Sequence, residues 1–265
     1  MSHAGINGMR AAGDDLVNVA EKLTDDQWHG SSAAAGWSVH DVVVHVGSLL
    51  ELLQAAVAGA DSPPIGIEQL NDQVVAGRRD WTPAYATQFL RDQLSTALDT
   101  FSALQDEPAA STRVPMLDLG SYPLHAIADM FAFDIATHLH YDILAPRGPI
   151  QLPHPPMDEV LLVPAVEWLL GGISQMQPGL ADHLHGSILL RLNGPGGRDV
   201  ILTPGDSTPI VTPQVETSVQ ATATLTSTTT DFLAWSTQRL PWSNLVHIDG
   251  DEHIAAEFLN AVNLI

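Results

Sequence analysis

Between Leu144 and Asp158 the chain reads LAPRGPIQLPHPPMD, a stretch with five prolines. Proline has no backbone N–H and a fixed φ, so such a run can neither extend a helix nor enter a sheet interior. It divides a chain of 265 residues, a length that suits one large domain or two ordinary ones. The hydrophobic period differs on its two sides.

Upstream, the period is helical. Ile6, Met9, Leu16, Val19, Ala20 and Leu23 recur on one face and predict a helix over 5–23. LTDDQW at 23–28 is a polar break with cap-type residues. GWSVHDVVVHVGSLLELLQAAVAG at 36–59 is the clearest helix, with Ser38 as N-cap and Asp41 three residues later. Further helices are expected over 66–78, 83–105 and 123–143. Four or five antiparallel helices make a bundle.

Downstream, a helix is expected over 157–176, with Pro164 as an irregularity. GSILLRLNG and RDVILTPG then read as a hairpin. TPIVT and VQATATLTST are alternating and β-branched, and TTDFLAWSTQRL and GDEHIAAEFLNAVNLI return to helical period. The expected class is α+β in two domains: a helix bundle over 1–152 and a sheet domain with packing helices over 153–265.

At 45% hydrophobic residues the chain has material for a core. Ten basic against 31 acidic residues give a formal net charge of −21. That charge, with no basic run, opposes contact with nucleic-acid phosphates and anionic membranes. An anionic substrate would need a local cation. The chain has no cysteine, so disulfides and thiolate ligands are excluded, and thiol chemistry would require a borrowed sulfur. MSHAGINGMRAAGDDL lacks the basic start and apolar centre of a signal peptide. No apolar run reaches about 18 residues, so no membrane span is expected. A cytoplasmic protein is the resulting expectation.

FDIATHLHYD, residues 133–142, concentrates polar chemistry in an otherwise apolar helix. Asp134, His138 and Asp142 are spaced four apart and share a stripe. Tyr141 lies on the adjoining flank, and His140 projects away. Phe131, Ile135, Leu139 and Ile143 form the opposite, core-facing stripe. A carboxylate and an imidazole one turn apart are a natural start for a divalent cation, with the third ligand coming from elsewhere. His45 is the candidate, since it shares the inward face with Val42, Leu49 and Leu52. Two histidines and a carboxylate with open positions suit zinc, iron(II) or nickel(II). The same residues also admit a reading without metal: His45 as a hydrogen-bonded core residue and Asp134–His138 as a buried charge-assisted pair. Asp142 reads either as an exposed helix-end residue or as a partner that orients His138. His125 and His154 are expected to face solvent.

GWSVHDVVVHVGSLLELL resembles the second-helix opening of the DinB-like superfamily, closest to the mycothiol-dependent maleylpyruvate isomerase N-terminal domain. FAFDIATHLHYDILAPRGP resembles the later helix of that family, where an acid and a histidine four apart complete a metal site. The resemblance implies that His45, Asp134 and His138 hold a divalent metal, zinc foremost, with iron or nickel as alternatives. Glutamate is the usual acid there, and this chain carries the shorter aspartate. Asp142 stands four residues after His138, where relatives place an aspartate three after, which marks a divergent subfamily.

The C-terminal DFLAW, Arg239 four residues after its tryptophan, and the I-x-G-D before the last helix resemble an attached sterol-carrier-like domain. The resemblance implies mycothiol as cosubstrate and a small, carboxylate-bearing substrate. It implies thiolate addition with cis–trans isomerisation, Arg239 as carboxylate clamp and Tyr141 as a candidate proton donor. Two alternatives stay open: a mycothiol S-transferase on the same scaffold, and a non-enzymatic small-molecule or lipid-binding protein.

Overall fold

In the computed structural model, residues 3–61, 63–213 and 221–264 are described. Val219 and Gln220, at the start of the expected VQATATLTST strand, and Ile265 of the last expected helix lie outside them. The chain forms two compact units, Met1–Asp118 with Tyr122–Pro156, and Leu119–Ser121 with Met157–Ile265.

The first unit is helical. Its helices are α1 (Ala4–Ala20), α2 (Asp25–His29), α3 (Val39–Val57), α4 (Ile67–Ala76), α5 (Pro83–Ser102) and α6 (Ala126–Thr137). Helix α1 packs on α6 and α5, and α3 on α5 and α4. Phe101 and Phe131, both fully buried, stack with centroids 5.7 Å apart and so tie α5 to α6 at the core. The polar break LTDDQW does more than separate helices. Thr24 and Gln27 close a capping box that starts the single turn of α2. Ser38 and Asp41 close the same motif at α3, as their spacing predicts.

Helix α3 is long and apolar enough, by length and composition, to cross a membrane, which no uninterrupted apolar run in the sequence suggested. Two-thirds of that window is buried inside the protein, and it carries His40, Asp41 and His45. Its apolarity is therefore spent on the bundle core.

The regular helix expected over 123–143 changes pitch partway. It is α-helical to Thr137, and His138–Ile143 then form a π-helical turn. The Leu144 N–H reaches back five residues to the Leu139 carbonyl, 3.0 Å. At the end of this turn the Asp142 carbonyl, left without a partner in the helix, accepts from the Ala33 N–H at 2.9 Å. Gly148 closes the turn that follows. A Cβ there would stand 2.3 Å from the Ile143 carbonyl carbon and oxygen and 2.7 Å from the Leu144 nitrogen. These are backbone atoms that cannot rotate away. Gly148→Ala is expected to lower stability by about 2–3 kcal/mol, read as a drop in urea midpoint at unchanged slope.

Short strands β1 (Arg113–Pro115) and β2 (Ser121–Pro123) pair between α5 and α6 in sequence. The second unit carries α7 (Glu159–Ile173), β3 (Ile188–Asn193), β4 (Asp199–Thr203), β5 (Ile210–Pro213), β6 (Ala223–Thr228), α8 (Thr229–Ser236), β7 (His247–Gly250) and α9 (Glu252–Ala261). The sheet order is β5-β4-β3-β6-β7. The expected hairpin is β3–β4, with Leu189 opposite Ile201. Strand β6 runs parallel to β3, and β7 antiparallel to β6. Ala223, Leu225 and Ser227 alternate inward on β6. The Trp235 indole N–H donates to Ser227 Oγ at 3.2 Å, which fastens α8 to that strand.

Candidate metal centre

Helix α3 packs against the π turn that extends α6, and this contact brings His45 to Asp134 and His138. One ligand atom from each lies within 4.8 Å of the others. Asp134 Oδ1 is 3.8 Å from His45 Nε2 and 3.6 Å from His138 Nε2. His45 and His138 are buried, and Asp134 is half-buried. The aspartate is long enough to stand between both rings, so the shorter acid closes the triangle.

Asp142, 1% exposed, accepts a hydrogen bond from His138 Nδ1 at 2.8 Å. Arg147 Nη1 bonds the other Asp142 oxygen, so this carboxylate accepts from both sides. With Nδ1 turned to Asp142, the His138 Nε2 is left on the side of Asp134 Oδ1, and at 3.6 Å that approach is too long for a hydrogen bond. Around a zinc-sized ion with ligands at about 2.0–2.2 Å, tetrahedral neighbours are roughly 3.3–3.6 Å apart. The observed 3.6 and 3.8 Å spacings are close to that. The donor set thus fits a divalent cation, and an imidazole braced by a carboxylate behind it is the usual arrangement of a ligating histidine.

Of the two expectations for Asp142, exposed helix end or partner of His138, the buried position and the bond agree with the second. Tyr141 is half-buried on the π turn, and its carbonyl accepts from Arg147 at 3.1 Å. Arg239 lies in the second unit, half-buried just past α8, with its N–H bonded to the Ala234 carbonyl at 2.9 Å.

The spacing argument left three residues unassigned. Arg147 sits in the proline-rich break, and its one signal is being a scarce cation five residues after Asp142. Trp37 lies over the histidines, its ring 4.9 Å from that of His45 and 6.3 Å from that of His138. Asp72 accepts from its indole N–H at 3.0 Å. The tryptophan is visible in the Trp-Ser opening of α3, but nothing in the sequence says where its ring points.

His140 projects away from the cluster, as expected. His154 is exposed, yet its ring is engaged. Its Nε2–H donates to the Ala145 carbonyl, so its Nδ1 accepts from His140 Nδ1 at 3.1 Å. His140 Nε2 is buried with no hydrogen-bond partner, so a second proton there would be unsatisfied. Burial, reinforced by His154, pushes His140 down to about 4. Burial likewise lowers His40, against the opposing pull of the Trp81 carbonyl and Asp41. His125 is only half-exposed, with Nδ1 2.9 Å from the Ala110 carbonyl.

In the unfolded chain an imidazole binds a proton below about pH 6.5. In the folded protein His140 stays neutral to about pH 4. The unfolded state binds more protons in that window, so stability is full above it and falls as pH drops through it. The His140 contribution to this loss is roughly 3 kcal/mol across the window. Urea unfolding at pH 7 and pH 4.5 should show a smaller acid loss in His140→Gln than in wild type. Equal losses would contradict the assignment.

A buried two-histidine, one-carboxylate cluster is a form in which helix bundles build metal centres. Residues 9–142, half of the chain, match the family model of the mycothiol maleylpyruvate isomerase N-terminal domain, and the chain belongs to that family. Among solved structures it is similar to a crystal structure of the mycothiol-dependent maleylpyruvate isomerase, at 14% identity and a TM-score of 0.59. That likeness covers 92% of this chain and 91% of the other, and a point mutant of the same enzyme gives the same values. At this identity the likeness establishes a shared fold across both units. No match was found among curated protein sequences.

Proposed function

We propose that the chain is a metal-dependent, mycothiol-using enzyme of the maleylpyruvate isomerase type, acting in the cytoplasm on a small activated acid. The observation that carries this reading is the convergence of His45, Asp134 and His138, with one ligand atom from each within 4.8 Å and Asp142 bonded behind the His138 ring at Nδ1. Family membership supplies the thiol. A cation held there would stabilise a thiolate and bring its formation toward neutral pH.

The roles of the chain's own groups follow from position. His45 and His138 would offer ring nitrogens and Asp134 a carboxylate oxygen, and Asp142 with Arg147 keeps the His138 ring in place. Thiolate sulfur would form a C–S bond to an activated alkene, opening its C=C to a single bond. Rotation and expulsion of the thiolate then restore the alkene in the trans form. Tyr141, close in sequence to His138, is the proposed proton donor. Arg239 is proposed to take the substrate carboxylate on its sequence resemblance alone.

One observation favours a second reading, thiol transfer to an electrophile without a carboxylate. Arg78, Arg79 and Arg147 are each paired with an acid of the bundle, Glu51, Asp41 and Asp142. The two readings separate in one assay. Zinc-loaded protein with mycothiol and maleylpyruvate should return the trans isomer with the thiol unconsumed. A stable thioether product would establish transfer instead, and turnover without thiol would contradict both.

A further inference from the structure

Trp37 is a half-buried loop residue held from several sides. Gly36 before it takes φ +81°, a conformation that glycine adopts without strain. The Gly36 carbonyl accepts from Arg79 at 3.4 Å, and the Trp37 carbonyl accepts from Ser32 Oγ at 2.8 Å. The indole N–H donates to Asp72 on α4. Ala33, in the same loop, donates to the Asp142 carbonyl on the π turn. Ser38, the next residue, is the α3 N-cap. The loop is thereby tied to α3, to α4 and to the turn that carries His138 and Asp142.

The ring lies against both ligand imidazoles, at 26° to the His138 plane and 47° to the His45 plane, while those two rings stand at 73° to each other. Asp142 braces His138 from its Nδ1 side. Among the described residues the His45 ring makes no hydrogen bond; its Nε2 stands 3.8 Å from Asp134 Oδ1, and the indole packs on the ring with centroids 4.9 Å apart.

We infer that Trp37, latched by Asp72, is a positioning residue of the metal centre. It holds the two histidine rings in their converging orientation and closes that side of the cluster to water. This rests on the metal reading proposed above. The inference concerns retention of the ion, so it can be read without turnover.

The test loads wild type, Trp37→Phe, Trp37→Ala and Asp72→Ala with zinc and follows release to a chromophoric chelator. Cobalt(II)-loaded samples give a visible spectrum for the ligand geometry. Release from Trp37→Ala is expected to be about tenfold faster, in line with the worth of groups that orient ligands. Its cobalt bands should also shift. Trp37→Phe keeps the aromatic surface and should stay within about twofold of wild type. Asp72 is exposed, so Asp72→Ala leaves the core intact and should release faster than wild type. It reports on the latch even where Trp37→Ala does not fold. Release at the wild-type rate from folded Trp37→Ala, or from Asp72→Ala in its absence, overturns the inference. So does equal acceleration in the Phe and Ala variants. A wild-type protein that takes up neither ion overturns the metal reading itself, and the inference with it.

Discussion

His138→Ala is expected to purify without stoichiometric metal and to lose more than about a hundredfold in thiol-dependent turnover. Groups standing behind metal ligands are themselves worth 10–100-fold, so loss of a ligand should exceed that. His138 is one of three residues whose ligand atoms converge within 4.8 Å, and its Nδ1 is engaged by Asp142. His138→Ala also removes the buried Nδ1 bond to Asp142, so it should unfold at somewhat lower urea than chelator-treated wild type. Metal-loaded wild type should unfold later, by the mass-action stabilisation of a ligand that binds only the folded state. A variant that still carries one ion per chain with full activity would contradict the assignment.

The second large effect is expected at Asp142, which touches no proposed reacting atom. It is 1% exposed and joins His138 Nδ1 to Arg147. Asp142→Ala removes the proton acceptor and strands Arg147, whose side chain is 29% exposed and so only partly relieved by water. Metal affinity should fall about 10–100-fold. Stability should fall by about 2–3 kcal/mol, at the lower side of what breaking a buried pair costs, because Arg147 can turn outward. Asp142→Asn keeps an acceptor of the same shape and should show the smaller loss of affinity. Competition titration with a zinc indicator measures the first quantity and urea unfolding the second. Equal affinity in the Asn, Ala and wild-type proteins would show that the His138 ring is not held from Asp142.

How much of this the sequence disclosed follows from what is local. Ser38 and Asp41 satisfy each other's backbone groups within one turn, so the start of α3 could be read directly. The four-residue spacing of Asp134, His138 and Asp142 is a property of one helix and survives its change of pitch. The β3–β4 hairpin and the period of β6 are likewise carried by neighbours in the chain. The π turn could not be read, because its five-residue bond from Leu144 to Leu139 leaves the spacing of the polar residues unchanged, and the Asp142 carbonyl is met by Ala33, more than a hundred residues earlier. Strand β7 has only the four residues HIDG and little apolar signal; its ladder with β6 defines it. The tilt of Trp37 and the reach of Arg147 depend on side-chain direction, which residue spacing does not encode.

The central claim is that His45, Asp134 and His138 hold one divalent ion. Anomalous X-ray diffraction from crystals of the protein as purified, collected across the absorption edges of zinc, iron and nickel, tests it most directly. The expected result is one anomalous peak per chain, at about 2.0–2.2 Å from both Nε2 atoms and an Asp134 oxygen. Its edge would identify the ion. A well-ordered crystal soaked with zinc that shows no peak between these three residues would contradict the account.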